Sequence, residues 1–265
     1  MTRNKRNERI GSESVNKQGC LMRVVEYVNA NNILVEFIGE YPCVIKSNWG
    51  DFVRNRMLNP YYPTIFNKGI VGNKYPTESN GKKCKEYATW LGVMERALSC
   101  KKDIHNLQSY KNVVCCEEWL LYDNFYEWVH SQENFKQWIK DPMSAIDKDI
   151  LVKNNKIYSP DTCCLVPLSV NNLFIREKSR RGRYPIGVSK YKNREDFVAQ
   201  CQDKRNNPER QVFLGYFKTP EEAFYAYKKY KEKLIKQIAQ EEYDKGNITK
   251  KCYEAMIKYE IEITD

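Results

Sequence analysis

Three short runs near the amino terminus are rich in β-branched and aromatic residues, and each includes a charged residue. The runs cover residues 23–28, 33–37 and 43–46, and this composition is typical of β-strands. The separators at 29–32 and 39–42 consist largely of Asn, Gly and Pro, which favour turns. The sequence therefore predicts a small β-meander at this end of the chain.

The middle of the chain changes to helical spacing. A short helix is predicted at 48–56, and the Pro- and Gly-rich stretch 59–83 is expected to be an irregular linker. Apolar residues return at helical intervals over 86–101 and 117–138, and short strands and turns are predicted over 146–166. Aromatic rings at helical intervals are more often core residues than base-stacking platforms, and we expect this of five rings: Trp119, Phe125, Trp128, Phe135 and Trp138.

The last third of the chain predicts three strands followed by two helices. The strands are expected at about 184–191, 196–202 and 211–217. The first helix begins at Thr219-Pro220, because Thr is a good N-cap, Pro suits the first helical position, and Glu residues follow. A last helix is predicted at 249–261.

The net charge of the 265-residue chain is +10, and it is distributed unevenly. Residues 176–250 hold 19 Lys and Arg against 11 Asp and Glu, a net +8, whereas residues 84–150 hold 8 against 11. A basic segment of this kind attracts a polyanion such as nucleic acid. No apolar run approaches the length of a membrane span, and the basic start does not resemble a signal peptide, so we expect a cytoplasmic protein without a membrane partner.

Ten cysteines are expected to remain thiols in that compartment, several of them as small core residues. The chain has no CxxC pair. Cys115-Cys116 and Cys163-Cys164 are adjacent, so each pair offers at most one ligand to a site if it lies on a strand. The spacing therefore argues against a structural zinc site.

The carboxyl-terminal third resembles the APETALA/ethylene-response-factor DNA-binding domain over about 50 residues. The resemblance rests on these residues: Gly187-Val188, Phe197-Val198-Ala199, Phe213-Leu214-Gly215-Tyr216-Phe217 and Thr219-Pro220-Glu221-Glu222-Ala223. It implies that a three-stranded sheet packs on a helix and that the opposite face of the sheet enters the major groove of double-stranded DNA.

Strand alternation gives the same division of side chains from physical principles. Five residues are expected to face the helix: Val188, Ala199, Cys201, Val212 and Leu214. Seven are expected to face outward and are candidates for reading bases: Ser189, Tyr191, Val198, Gln200, Gln202, Gln211 and Phe213.

This outward face differs from the family, which concentrates Arg and Trp there. Because Gln can pair with adenine N6 and N7, and Tyr191 or Phe213 can touch a thymine methyl group, this face is expected to read adenine and thymine in place of the guanine that Arg reads. An ordinary solvated strand surface is the alternative. The basic residues near the strands are assigned to phosphates: Arg180, Arg181, Arg183, Lys190, Lys192, Arg194 and Arg210.

The centre of the chain resembles a subgroup of phage HNH-endonuclease-like proteins, of the homing-endonuclease type, which often carry such a DNA-binding module. The resemblance rests on Cys116-Glu117-Glu118-Trp119, Asn124-Phe125-Tyr126-Glu127-Trp128, Ile146-Asp147-Lys148-Asp149, Tyr158-Ser159-Pro160-Asp161-Thr162-Cys163 and Val166 to Asn171. It implies a ββα-type module and hydrolysis of DNA with Mg²⁺ or another divalent metal.

The chain departs from this family at the catalytic position. An HNH site needs a general base, normally His, and a metal held against the scissile phosphate. Here Lys148 stands where His is expected, and the only histidines are His105 and His130. Three interpretations stay open: Asp147 and Asp149 hold the metal while Lys148 or another residue activates water; the hairpin is a silent remnant; or one of the two histidines completes the site. In a fourth, Asp147 and Asp149 only cap turns.

These observations predict an α+β protein that binds duplex DNA, and the HNH resemblance implies metal-dependent nicking or cleavage of that DNA. The modules are 1–80 (β-rich, with a basic arm), 84–176 (HNH-endonuclease-like, ββα-type and degenerate), 182–242 (APETALA/ethylene-response-factor-like) and 243–265 (a carboxyl-terminal helix). Two rivals remain: a DNA-binding regulator without catalysis, and a phage inhibitor that binds a host protein, the protein partner being unknown.

Overall fold

The computed structural model describes residues 8–99, 112–174, 183–191, 195–203 and 211–265. Within these ranges the fold is mixed α+β, and the chain divides into two compact units, Met1–Glu127 and Trp128–Asp265. The modules predicted from sequence have different boundaries and stay a prediction. Of the helices in the described ranges, none combines the length and apolar character that a membrane crossing requires.

The first unit opens with a four-stranded antiparallel sheet whose strands follow one another in the order of the chain. The predicted meander is present, with strands β1 (Glu13–Val15), β2 (Leu21–Asn29), β3 (Asn32–Ile38) and β4 (Cys43–Ser47). Alternate residues such as Val24, Val35 and Phe37 are buried, because one face of the sheet covers a core and the other meets solvent.

The short helix α1 (Trp49–Val53) follows, with the side chain of Asn48 as its N-cap. The segment 59–83 is packed, so the expectation of a linker is wrong. Asn59 is buried, and its amide donates a 2.7 Å hydrogen bond to the carbonyl of Tyr41. The backbone N–H of Ile70 donates to the carbonyl of Leu120, and the carbonyl of Ile70 accepts from the N–H of Tyr122. The strands β5 (Glu78–Ser79) and β6 (Lys82–Lys83) form a small hairpin.

Helix α2 (Lys85–Leu98) places Trp90 in the core, where its indole donates to the carbonyl of Trp119 at 2.7 Å. The predicted helical stretch 117–138 is divided into a 3₁₀ turn, α3 (Tyr122–Ser131) and α4 (Phe135–Lys140). Four of the five rings expected in the core are buried, and Phe135 is half-buried. Strand β7 (Val114–Cys115) precedes the 3₁₀ turn.

In the second unit, an antiparallel strand pair is followed by a short helix. The elements are β8 (Ser144–Asp147), β9 (Ile157–Tyr158), β10 (Cys164–Pro167) and α5 (Leu168–Asn171). Asp147 and Ile146 lie opposite Cys164 and Leu165 in the register of β8 and β10. Strand β9 lies between the two paired strands in the sequence, and the ββα-type module expected for this part of the chain stays a prediction.

The carboxyl-terminal part is a three-stranded antiparallel sheet packed on a long helix. Its elements are β11 (Val188–Lys190), β12 (Phe197–Gln202), β13 (Gln211–Phe217), α6 (Pro220–Asp244) and α7 (Lys250–Ile257). The predicted start of α6 is confirmed: Thr219 is the N-cap, Pro220 opens the helix, and Glu222 completes a capping box.

One hydrophobic core joins both parts of the second unit. It contains Val166 and Val170 from the strand pair and its helix, together with Leu234 from α6 and Met256 from α7. Cys163, Cys164, Cys201 and Cys252 are buried thiols, and burial raises the pKa of the Cys163 thiol to about 12. These cysteines therefore serve as small core residues.

Candidate nucleic-acid interface

Helix α6 covers one face of the sheet β11–β13 and leaves the other face exposed. Val188, Ala199 and Cys201 are buried beneath the helix, as the strand alternation predicts, and Leu214 packs against the same core. Three cross-strand rows make up the opposite face, which we call the outer face. The rows are Ser189–Val198–Tyr216, Gln200–Phe213 and Gln202–Gln211.

A β-bulge determines which residues of β13 reach the outer face. Gln200 lies opposite Phe213, but Ala199 lies opposite Gly215, so Leu214 is an extra residue on β13. Gly215 has a φ of +137°, a backbone conformation that L side chains rarely adopt. The bulge shifts the alternation, and Tyr216 joins Phe213 on the outer face. Sequence reasoning missed Tyr216, although a Gly inside a strand pattern is a recognised signal for a bulge.

Three aromatic rings lie together on this face. The centroid of the Tyr216 ring is 5.3 Å from that of Tyr191 and 5.0 Å from that of Phe213, both in edge-to-face geometry. The exposed fractions of Tyr191, Phe213 and Tyr216 are 38%, 52% and 47%. Val198, which was expected to be an exposed reading residue, is only 5% exposed.

These rings border a shallow depression of about 350 Å³. Its lining residues are Ser189, Lys190, Tyr191, Val198, Gln200, Phe213 and Tyr216. Six of them come from β11, β12 and β13, and Tyr191 follows β11 directly. Six were predicted as DNA-contacting residues, and the structure brings all six together, with Val198 buried in the floor: Ser189, Lys190, Tyr191, Val198, Gln200 and Phe213.

The polar side chains of the outer face are available to a ligand. The side chains of Ser189, Gln200, Gln202 and Gln211 form no hydrogen bond to another residue within the described ranges. Gln202 and Gln211 lie opposite each other beyond the depression and are both exposed. Amide and hydroxyl groups in such positions can pair with base edges.

The residues assigned to phosphates are described only in part. Arg183 is exposed, donates a 3.0 Å hydrogen bond to the hydroxyl of Tyr184, and lies 5.2 Å from the centre of that ring. Lys190 is exposed at the rim of the depression. Five residues lie outside the described ranges: Arg180, Arg181, Lys192, Arg194 and Arg210. Three of them belong to the segments that directly follow β11 or precede β13 in the sequence.

The predicted catalytic residues Asp147, Lys148 and Asp149 lie where strand β8 ends and a turn begins. Asp147 Oδ1 accepts hydrogen bonds from the backbone N–H groups of Asp149 and Ile150, at 2.7 and 2.8 Å. Burial raises the pKa of the Asp147 carboxyl, and these two N–H groups partly offset that effect. The contacts of Asp147 are those of a residue that caps a turn.

Lys148 is buried beneath this turn and bound on three sides. Its Nζ donates to both carboxylate oxygens of Asp149, at 2.8 and 2.7 Å, and to the carbonyl of Asn155 at 3.1 Å. The amide of Asn155 returns a 2.9 Å hydrogen bond to the carbonyl of Lys148. With three acceptors around it, Nζ is poorly placed to take a proton from water.

A divalent metal does not fit these residues as they are arranged. One oxygen of Asp147 is engaged by two amides, and the ammonium of Lys148 lies against both oxygens of Asp149, where a metal would have to bind. In the described part of the chain, no group of three or more His, Cys, Asp or Glu is placed to hold a metal ion. The ring of His130 packs on Phe135 at 3.9 Å, and His105 lies outside the described residues.

Comparison with known proteins identifies no relative of this chain. No protein-family model matches the chain, and searches of the curated proteins and of the solved structures return no similar protein.

Proposed function

We propose that this protein binds double-stranded DNA through the outer face of β11–β13 and acts as a regulator or accessory factor without cleaving it. One observation carries the proposal: helix α6 covers one face of the sheet, and the opposite face presents the side chains of Gln200, Gln202 and Gln211, which form no hydrogen bond to another described residue. Side chains in this arrangement can reach the base edges of a groove.

The charge of the chain supports the same proposal. The net +8 of residues 176–250 belongs to the part of the chain that contains this sheet, and Lys190 lies on the rim of the depression. Neutralisation of phosphates by such a segment supplies affinity that does not depend on sequence. The resemblance to the APETALA/ethylene-response-factor domain is consistent with this use of the sheet.

Cleavage of DNA is not part of the proposal. The contacts of Asp147, Lys148 and Asp149 favour a structural turn over a metal site, so catalysis at this hairpin stays a prediction from sequence alone. The rival in which the chain inhibits a host protein, and the expected location in the cytoplasm, also stay predictions.

The proposal is tested by titrating a labelled duplex with the full-length protein at increasing salt. Affinity should fall steeply, with a slope in log–log coordinates of about −0.9 for each phosphate that the protein neutralises. Lys190→Ala should weaken binding and make this slope less steep by about 1, because one phosphate contact is lost. Lys229→Ala is the matched control, because it removes the same charge from an exposed position on α6.

Two results would contradict the proposal. One is the absence of binding to any duplex at low ionic strength, with the protein shown to be folded. The other is an equal effect of Lys190→Ala and Lys229→Ala, which would mean that the outer face has no special part in the contact. Incubation of supercoiled plasmid with the protein and Mg²⁺ or Mn²⁺ tests the nuclease alternative separately, and we expect no relaxed or linear product.

A further inference from the structure

The three rings of the outer face are held in a fixed arrangement while much of their surface stays exposed. Tyr216 contacts both Tyr191 and Phe213 edge to face, and Val198 closes the floor between the strands. Aromatic surface of this extent stabilises the fold little while it is exposed, and a clustered apolar patch beside polar residues is typical of a binding site. The rings are therefore preorganised for a flat, apolar ligand.

An aromatic side chain cannot stack its ring on a base that is paired within a duplex. In a duplex, both faces of each base are covered by its stacked neighbours, and only the base edges are open in the grooves. A base that has left the stack exposes a face, and stacking of such a base on an aromatic side chain is the usual way that proteins bind unpaired nucleotides. Three exposed rings on a sheet thus favour an unpaired base over a paired one.

From this we infer that the depression formed by Tyr191, Phe213 and Tyr216 takes one unpaired nucleobase of the bound DNA. The inference rests on the proposed function and specifies its substrate: DNA with a base displaced from the helix. The volume of about 350 Å³ is at the lower end of the range for small-ligand sites, so it suits one base rather than several.

The surroundings of the rings suit the rest of a nucleotide. Gln200 lies directly opposite Phe213 in the register and brings an amide to the edge of a base that stacks there. Lys190 lines the same depression and has an ammonium group for the adjoining phosphate. The positive charge of residues 176–250 favours a polyanion such as nucleic acid over a neutral or basic ligand surface.

The experiment uses the full-length protein and three labelled duplexes of one sequence. The first duplex is fully paired, the second carries one extrahelical 2-aminopurine, and the third carries an extrahelical abasic nucleotide at the same place. The abasic duplex keeps the distortion of the backbone and lacks the base. We expect the 2-aminopurine duplex to bind about 5- to 150-fold more tightly than the other two, with a change in 2-aminopurine fluorescence on stacking.

Variants locate the effect on the outer face. Phe213→Ala should lower the affinity for the 2-aminopurine duplex more than for the paired one, so that the preference shrinks, whereas Phe213→Trp should retain it. Tyr225→Ala is the matched control, because Tyr225 is a 66% exposed aromatic residue of α6 that does not line the depression. It should leave the preference unchanged.

The outcomes separate this inference from the function on which it rests. Equal affinity for all three duplexes would overturn the inference and leave the proposed function standing. A preference that the abasic duplex shares would also overturn it, because the protein would then recognise a distorted backbone. Failure to bind any of the three would overturn both.

Discussion

Gly187 lies directly against the ring of Tyr227, the point at which β11 meets helix α6. A Cβ added to Gly187 would be 2.1 Å from Tyr227 Cδ2 and 2.5 Å from Cε2, and the φ of Gly187 is +76°. The carbonyl of Gly187 accepts a 2.9 Å hydrogen bond from the N–H of Gln200, a residue of the outer face. The close approach of this glycine to the helix therefore helps to place the strand that carries the proposed interface.

Substitution of Gly187 by Ala should destabilise the second unit. The methyl group must displace the Tyr227 ring and must also be held at a positive φ, so we expect a loss of about 2 kcal/mol or more in the free energy of unfolding. Gly246→Ala is the control, since its φ is +70° but its Cβ would meet only the amide end of Gln137, at 3.3 Å. Thermal unfolding measures both. Equal losses of stability in the two variants would show that the positive φ alone, without the Tyr227 contact, accounts for the need for glycine at position 187.

Substitutions of Asp147 separate its role in the turn from a role in metal binding. Asp147→Asn keeps the oxygen that accepts the two backbone hydrogen bonds and removes the buried charge, so we expect a protein at least as stable as the parent at pH 7. Asp147→Ala removes the acceptor and should cost about 1–2 kcal/mol in the free energy of unfolding. A large loss of stability in Asp147→Asn would contradict the assignment of this residue to the turn.

The stability difference between the parent protein and Asp147→Asn should depend on pH, because the pKa of Asp147 is raised in the folded protein. A carboxyl whose pKa is higher in the folded state destabilises the fold when ionised, at neutral pH, and this cost disappears as the pH falls through the folded pKa. The stability advantage of Asp147→Asn should therefore shrink as the pH is lowered from 7 towards the unfolded pKa of about 4. Denaturant titrations of the parent and the variant at several pH values measure this difference, and an advantage that grows on acidification would refute it.

The sheet β11–β13 should depend on the rest of its compact unit. Its helix shares a core with Val166 and Val170, as well as with Met256 from α7, so a fragment of residues 182–242 would expose that surface. We expect this fragment to lack a cooperative unfolding transition, and a fragment of residues 122–265, which keeps α3 whole, to show one. Circular dichroism during heating distinguishes the two, and cooperative unfolding of the shorter fragment would disprove the dependence.

The start of α6 offers a test at a single hydroxyl group. Thr219 Oγ1 accepts from the N–H of Glu222 at 3.2 Å, and the Glu222 carboxylate accepts from the N–H of Thr219 at 3.3 Å. Thr219→Ala should lower the free energy of unfolding by about 1 kcal/mol, whereas Thr219→Ser should be nearly neutral because the acceptor is retained. A chemical denaturation series measures both variants. Equal stability of the Ala and Ser variants would show that the capping bond contributes nothing.

The sequence was most informative where local rules determine the structure. The N-cap at Thr219 and the burial of Ala199 and Cys201 beneath the helix could be predicted because capping and one-sided burial leave a direct pattern in the residues. The packing of 59–83 could not, since Pro and Gly mark turns in a compact segment and in a linker alike. A turn-capping role for Asp147 was one of the open interpretations, but the ion pair that occupies Asp149 depends on the Lys148 side chain being buried against Asp149 and Asn155, which spacing does not reveal.

The bulge on β13 makes the outer face depend on the residue at position 215. Phe213 and Tyr216 are three positions apart, a separation that puts two side chains on opposite sides of a regular strand. They share one side only because the chain bends out of register at Leu214 and Gly215. A β-branched residue at position 215 would favour a straight strand and rotate Tyr216 towards the helix. A recognition surface could thus disappear through a change in a residue that gives no side chain to it.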